Sequence, residues 1–170
     1  AYPLRDFAFG GRVINANNYQ GIPEKDRKMW QASKSSYEFV SRLRRIPFVG
    51  SKIFGIWDHF QRIFAYYPKR DLSRPTLNLR VLFYFIKKLW GRDLVEKLKK
   101  NPLPMVATFF SPAFMAEEFS YPGDIYCVIC DADIARPWVS LNPQKSRIKY
   151  FASCSWSRDR RLAATPARWR

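Results

Sequence analysis

The chain reads as an α/β protein: a parallel sheet with covering helices, preceded by a basic, mainly helical part. Three observations predict this. Short strand-like runs occur at Met105–Phe110, Asp124–Cys130 and Ile148–Ala152, the second wholly apolar from Ile125 as a buried strand would be. The first connection between them, from Pro112 to Phe119, has helical character, so strand and helix alternate. Of the 170 residues 47% are hydrophobic, enough for one ordinary core.

The elements follow in order. Gly21-Ile22-Pro23 introduces a helix over about Glu24 to Arg45, in which Trp30, Tyr37, Val40 and Leu43 recur at roughly helical spacing. Pro47 and Gly50 punctuate, and Ser51 can cap a second helix. This one has the cleanest stripe in the sequence: Ile53, Ile56, Trp57, Phe60, Ile63, Phe64 and Tyr67. A third helix is expected from Thr76 to Trp90, with Val81, Leu82, Phe85, Ile86 and Leu89 inward. Gly91 breaks it, and a short basic helix, Asp93 to Lys100, follows. Asn101-Pro102-Leu103-Pro104 turns into the first strand, and Pro112 is expected to open the next helix with Ser111 as its N-cap. Tyr121-Pro122-Gly123 turns into the second strand, whose continuous apolar run suits a strand covered on both faces. The third strand ends at Ala152, and a helix is expected from Ser155 onward.

Charge narrows the partners. The net charge is +16. Residues 1–100 carry 21 basic and 8 acidic side chains, residues 101–170 only 9 and 6. The first part should therefore attract an anionic partner: a membrane surface, a phosphorylated substrate or nucleic acid. Aromatic residues make up 17%, which excludes a disordered basic tail. The densest apolar run, Val81–Ile86, is far short of the roughly 18 residues that span a bilayer. No secretory signal pattern is visible.

Metal and triad chemistry find little support. Cys127 and Cys130 form a C-x-x-C, but on a strand residues three apart point to opposite faces and cannot share an ion. With Cys154 they make an odd number, which suits a reducing compartment. His59 is the single histidine and lies among Trp57, Phe60 and Ile63 with no evident nucleophile. No Walker-type or G-x-G-x-x-G loop is present. No metal and no cofactor is expected.

The candidate chemistry gathers where the second strand ends. Asp131 and Asp133 lie just past it, with Arg136 and Trp138 close behind. Ligands of open parallel sheets bind beyond the carboxyl ends of the strands. A carboxylate there can act as a base, orient a sugar hydroxyl or hold a metal; equally, it can cap backbone amides or pair with Arg136. Thr108 and Ser111 can offer hydroxyls where the first strand hands over to a helix. The aromatic stripe of the second helix is either core or a membrane-facing surface, with Trp57, Phe60, Phe64 and Arg62 toward lipid.

Four segments then carry a resemblance. Met105-Val-Ala-Thr-Phe-Phe-Ser-Pro-Ala, Asp124-Ile-Tyr-Cys-Val-Ile-Cys-Asp-Ala-Asp, Arg136-Pro-Trp and Ser146-Arg-Ile-Lys-Tyr-Phe-Ala-Ser resemble the acceptor half of GT-B glycosyltransferases. The groups they look most like are the monogalactosyldiacylglycerol synthases and the lipid-II-forming N-acetylglucosaminyltransferase. Cys130-Asp131 stands where that family has Thr-Asp, Pro137-Trp138 matches its loop element, and Ser153 or Ser155 its helix-start serine.

The resemblance covers about residues 100–158 and implies a Rossmann-like domain forming one half of a GT-B architecture. It implies transfer of a sugar from a nucleotide donor to a lipid or glycan acceptor, at the inner face of the cytoplasmic membrane. The reaction then needs a base at the acceptor hydroxyl, a role the family gives to a residue upstream of these segments. In this chain Asp131 is the residue expected to act as that base or to orient the acceptor, Asp133, Arg136, Trp138 and Ser111 to bind the acceptor, and a C-terminal half outside this chain to hold the nucleotide sugar. On that reading residues 1–100 are the acceptor- and membrane-facing helical part and 101–157 the Rossmann-like core. Residues 158–170 form an arginine-rich tail unlike the family, expected to be non-native. The alternative is a non-catalytic basic module for anionic membrane or, second to it, nucleic acid.

Overall fold

The computed structural model describes residues 13–43, 75–130 and 136–152, apart from the side chains of Tyr37, Val40, Ser41 and Leu43. The aromatic helix expected at 52–67, the aspartates Asp131 and Asp133, and everything after Ala152 lie outside the described residues. So do Trp57, Phe60, Arg62, Phe64, His59 and Cys154.

Helix α1 spans Glu24–Leu43, with Glu24 and Asp26 in its first turn and Arg42 in its last, the arrangement that suits the helix dipole. Its start is fastened to the helices that follow. The buried Asp26 carboxylate accepts the Gly91 N–H at 3.2 Å. Just ahead of α1, the Tyr19 hydroxyl donates to Asp93 at 2.9 Å, and Lys97 reaches the same carboxylate at 2.9 Å and the Gly21 carbonyl at 2.8 Å. Trp30 meets Trp90 edge-on at 4.8 Å.

Helix α2 (Leu77–Lys87) starts at Thr76, whose hydroxyl accepts the Leu79 N–H at 3.3 Å. It ends where Leu89 turns left-handed, φ 71°, followed by Gly91 at φ 81°. That reversal brings Trp90 into the core and starts α3 (Arg92–Lys99), which buries Leu94 and Val95.

Strand β1 (Met105–Ala107), helix α4 (Phe110–Glu118), strand β2 (Ile125–Ile129) and strand β3 (Lys149–Ala152) complete the described chain. The three strands are parallel in the order β1-β2-β3. The register sets Ala107, Cys127 and Tyr150 in one row, all buried, with Ile125 and Ile129 on the same side. Onto that side packs α4, whose Ala113, Phe114, Met115 and Ala116 are wholly buried; α2 and α3 pack against α4 in turn. The protein is thus mixed α/β. No described helix is long and apolar enough to cross a membrane.

Four expectations need correction. The inward side of α2 is Leu79, Phe83 and Ile86, continued by Trp90, while Val81, Phe85 and Leu89 are exposed. This helix is apolar nearly all round, so periodicity alone cannot choose its buried face. Strand β1 stops at Ala107, and α4 begins at Phe110 rather than Pro112. Proline lacks only an N–H that the first helical turn leaves unpaired anyway, so Pro112 fits inside that turn. Phe109, extended at φ −147° and ψ 147°, is the N-cap, and Ser111 is not. Finally, among the described residues β2 is covered on one side only: Tyr126 and Val128 are half-buried beside the exposed Val106 and Phe151.

Candidate functional site at the carboxyl end of the sheet

Parallel strands and an antiparallel return helix give the domain two unlike ends. At the carboxyl end, β1 passes through Thr108 and Phe109 into the first turn of α4, and β2 passes into Cys130. The chain then returns through a short 3-10 turn, Arg136–Trp138. Trp138 is buried and meets Phe110 and Phe109 edge-on, at 5.4 and 5.9 Å. The two phenyl rings stack on each other at 4.2 Å, and Phe110 continues inward to Phe114 at 5.7 Å. An aromatic bridge therefore joins the loop after β2 to the loop after β1. Phe109, at 47% exposure, forms its solvent-facing edge.

Of the residues singled out by spacing for the site, four can be located, and Thr108, half-buried, lies between β1 and Phe109. Trp138 belongs to this bridge. Ser111 sits one residue beyond Phe110 and is buried. Arg136 is buried too, its Nη1 donating to the Val139 carbonyl at 2.6 Å and the Ser140 carbonyl at 3.2 Å. Burial pulls the Arg136 guanidinium below its ordinary value, yet arginine starts so high that it stays charged. Its geometry fixes the turn that carries Trp138. Sequence spacing passed over Phe109 and Phe110; the signal for them was an aromatic pair directly after a short strand, where such side chains cannot both enter the core.

The thiols separate as strand alternation requires. Cys127 lies inside, and burial pushes its thiol up to about 12. Cys130 is exposed at the carboxyl end, its sulfur 3.7 Å from the Thr108 carbonyl. Among the described residues no three His, Cys, Asp or Glu side chains gather as metal ligands would.

The opposite end is tied by Glu117, which sequence spacing did not single out. Its carboxylate accepts the Ser140 hydroxyl, the Ser146 hydroxyl and the Arg147 N–H, each at 2.7 Å. The Ser140 N–H in turn donates to the Tyr150 phenol at 3.1 Å, and burial raises that phenol above the ordinary tyrosine value. These bonds hold the long β2–β3 connection against the last turn of α4. Compared with known proteins, the chain matches no family model, no curated protein and no solved structure.

Proposed function

We propose that this chain supplies the acceptor-side, Rossmann-like domain of a GT-B glycosyltransferase, working on a lipid or glycan acceptor at an anionic membrane surface. One observation carries the reading. The loop that follows β2 begins at the carboxyl end of a parallel sheet and returns through Arg136-Pro137-Trp138, anchored on the aromatic pair after β1. That is the end at which open parallel sheets take ligands. Within the described residues the motif segments behind the family resemblance fall on β1, the start of α4, β2, the 3-10 turn and β3.

In this reading Asp131, first after Cys130, accepts the proton of the acceptor hydroxyl as its oxygen bonds to the anomeric carbon of the donor sugar. The bond from that carbon to the nucleotide diphosphate breaks, and the diphosphate leaves with the electron pair. Asp133 orients acceptor hydroxyls, while Ser111, buried one residue beyond Phe110, supports the start of α4 from beneath. Arg136 and Trp138 shape the wall, one by clamping the turn and the other by filling it. The nucleotide sugar is bound elsewhere, by a donor-side half.

The test is equilibrium binding of a short-chain diacylglycerol and, separately, a soluble disaccharide to the chain. Saturable binding of either, weakened at least tenfold by Trp138→Ala with the fold retained, is expected. Binding of neither, or saturable binding of a nucleotide sugar instead, would overturn the assignment to the acceptor side.

A further inference from the structure

Helix α2 has a second apolar face. Leu77, Val81, Tyr84 and Phe85 recur at helical spacing on the side away from Leu79, Phe83 and Ile86, and they are 58, 45, 58 and 36% exposed. Leu89 extends the strip past the helix end at 49%. A helix apolar on both sides is ordinarily covered on both. The rim here is of one sign. Residues 75–92 contain Arg80, Lys87, Lys88 and Arg92 and no carboxylate. Lys88 lies 5.7 Å from the centre of the Tyr84 ring, and Lys25 joins it by donating to the Lys88 carbonyl at 2.9 Å. Among the described residues the acids next to this segment are spoken for: Asp26 is buried on the Gly91 amide, and Asp93 is paired with Lys97 and Tyr19.

From this charge complementarity we infer that the outer face of α2 is a docking surface for an anionic lipid bilayer. Aliphatic and aromatic side chains in one strip, with cations and no carboxylate among residues 75–92, match an acyl boundary beneath phosphate headgroups. The helix, 11 residues long, measures about 16 Å at 1.5 Å per residue, which suits a helix lying in the interface rather than crossing it. A nucleic acid would offer phosphates to the rim but nothing aliphatic for Leu77, Val81 and Leu89.

The inference rests on the membrane-surface part of the proposed function and names the face that serves it. It is tested by flotation with vesicles of phosphatidylglycerol and phosphatidylcholine, against phosphatidylcholine alone, over a salt series. Wild-type chain is expected to float with the anionic vesicles only, and less as salt rises. Val81→Ser with Tyr84→Ser is expected to lower the partition constant at least tenfold. Lys87→Gln with Lys88→Gln, which leaves the apolar strip intact, should lower it about 25-fold, each cation being worth roughly fivefold.

If wild type fails to float, the membrane reading falls and this face with it. Should wild type float while both α2 variants float equally well, the face alone is wrong. Loss on Trp57→Glu with Phe60→Glu in place of the α2 variants would move the contact to the aromatic stripe. Preferential capture of single-stranded RNA, with a steep salt slope, would overturn the lipid assignment.

Discussion

Replacing Glu117 by alanine should destabilise the domain by far more than is usual for a partly exposed charged side chain. The carboxylate takes three hydrogen bonds at 2.7 Å from residues 23 to 30 positions further along the chain. A hydrogen bond to a charged group contributes about 1.5–3 kcal/mol, less where water can take the partner's place. Ser140 is buried, so its hydroxyl loses nearly the full amount, about 2 kcal/mol. Ser146 and Arg147 reach solvent and re-pair with water, leaving about 0.5 kcal/mol each. Glu117→Ala should therefore cost about 3 kcal/mol, a fall of about 1.5 M in the urea midpoint for a slope near 2 kcal/mol/M.

Glu117→Gln keeps an oxygen where Ser146 and Arg147 converge, and the Ser140 hydroxyl can turn to accept from the new amide, so about 1 kcal/mol is expected. Hydrogen exchange supplies the local readout. Amides of β3 should exchange faster in the alanine variant, while those of α3, on the far side of α4, should change only by the global loss. A cost below 0.5 kcal/mol for Glu117→Ala would refute the view that this carboxylate holds the β2–β3 connection.

Three further outcomes are expected. Gly91→Ala should cost about 2–4 kcal/mol by urea unfolding, since Gly91 sits at φ 81° and an added Cβ would lie 2.2 Å from the sulfur of the fully buried Met115; a cost under 1 kcal/mol would contradict it. Iodoacetamide at pH 8 should label Cys130 at least tenfold faster than Cys127, because one thiol is exposed and the other is buried with its pKa pushed up to about 12; equal labelling, read by peptide mass spectrometry, would show the β2 alternation to be wrong. Burial raises the Asp26 carboxyl above its ordinary 3.8, so the folded state holds that proton more tightly than the unfolded chain. Its favourable contribution is present below the unfolded value and is lost as pH rises through the raised one. Asp26→Asn should accordingly gain stability relative to wild type as pH rises from about 3.5 to 7, and a difference independent of pH would refute this.

What sequence reasoning could see follows the same physics. Strand β2 was legible because Ile125 to Ile129 is an unbroken apolar run between a Pro-Gly turn and a polar loop. Helix α2 was legible as a helix but not in its orientation: Val81 and Phe85 are as apolar as Leu79 and Phe83, and only packing against α4 separates them. The start of α4 was misplaced because Pro112 is compatible with several first-turn positions. Glu117 was invisible because a single carboxylate near a helix end has no motif, and its partners come from a loop whose approach no local pattern predicts. Arg136 and Trp138 lie inside the turn rather than on an open surface, a placement that spacing does not reveal. Asp131 and Asp133, the sharpest candidates from spacing, lie outside the described residues, so their roles rest on their position directly after β2.

The central claim is that the carboxyl end of the parallel sheet is where an acceptor binds, and amide shift mapping by NMR tests it most directly. Titrating labelled chain with a short-chain diacylglycerol, and then with a soluble disaccharide, should move the amides of Thr108 to Ser111 and of Arg136 to Val139 along one saturable curve. The amides around Glu117 and Arg147, at the opposite end, should stay still. Shifts confined to that opposite end, or none in either titration, would contradict the account.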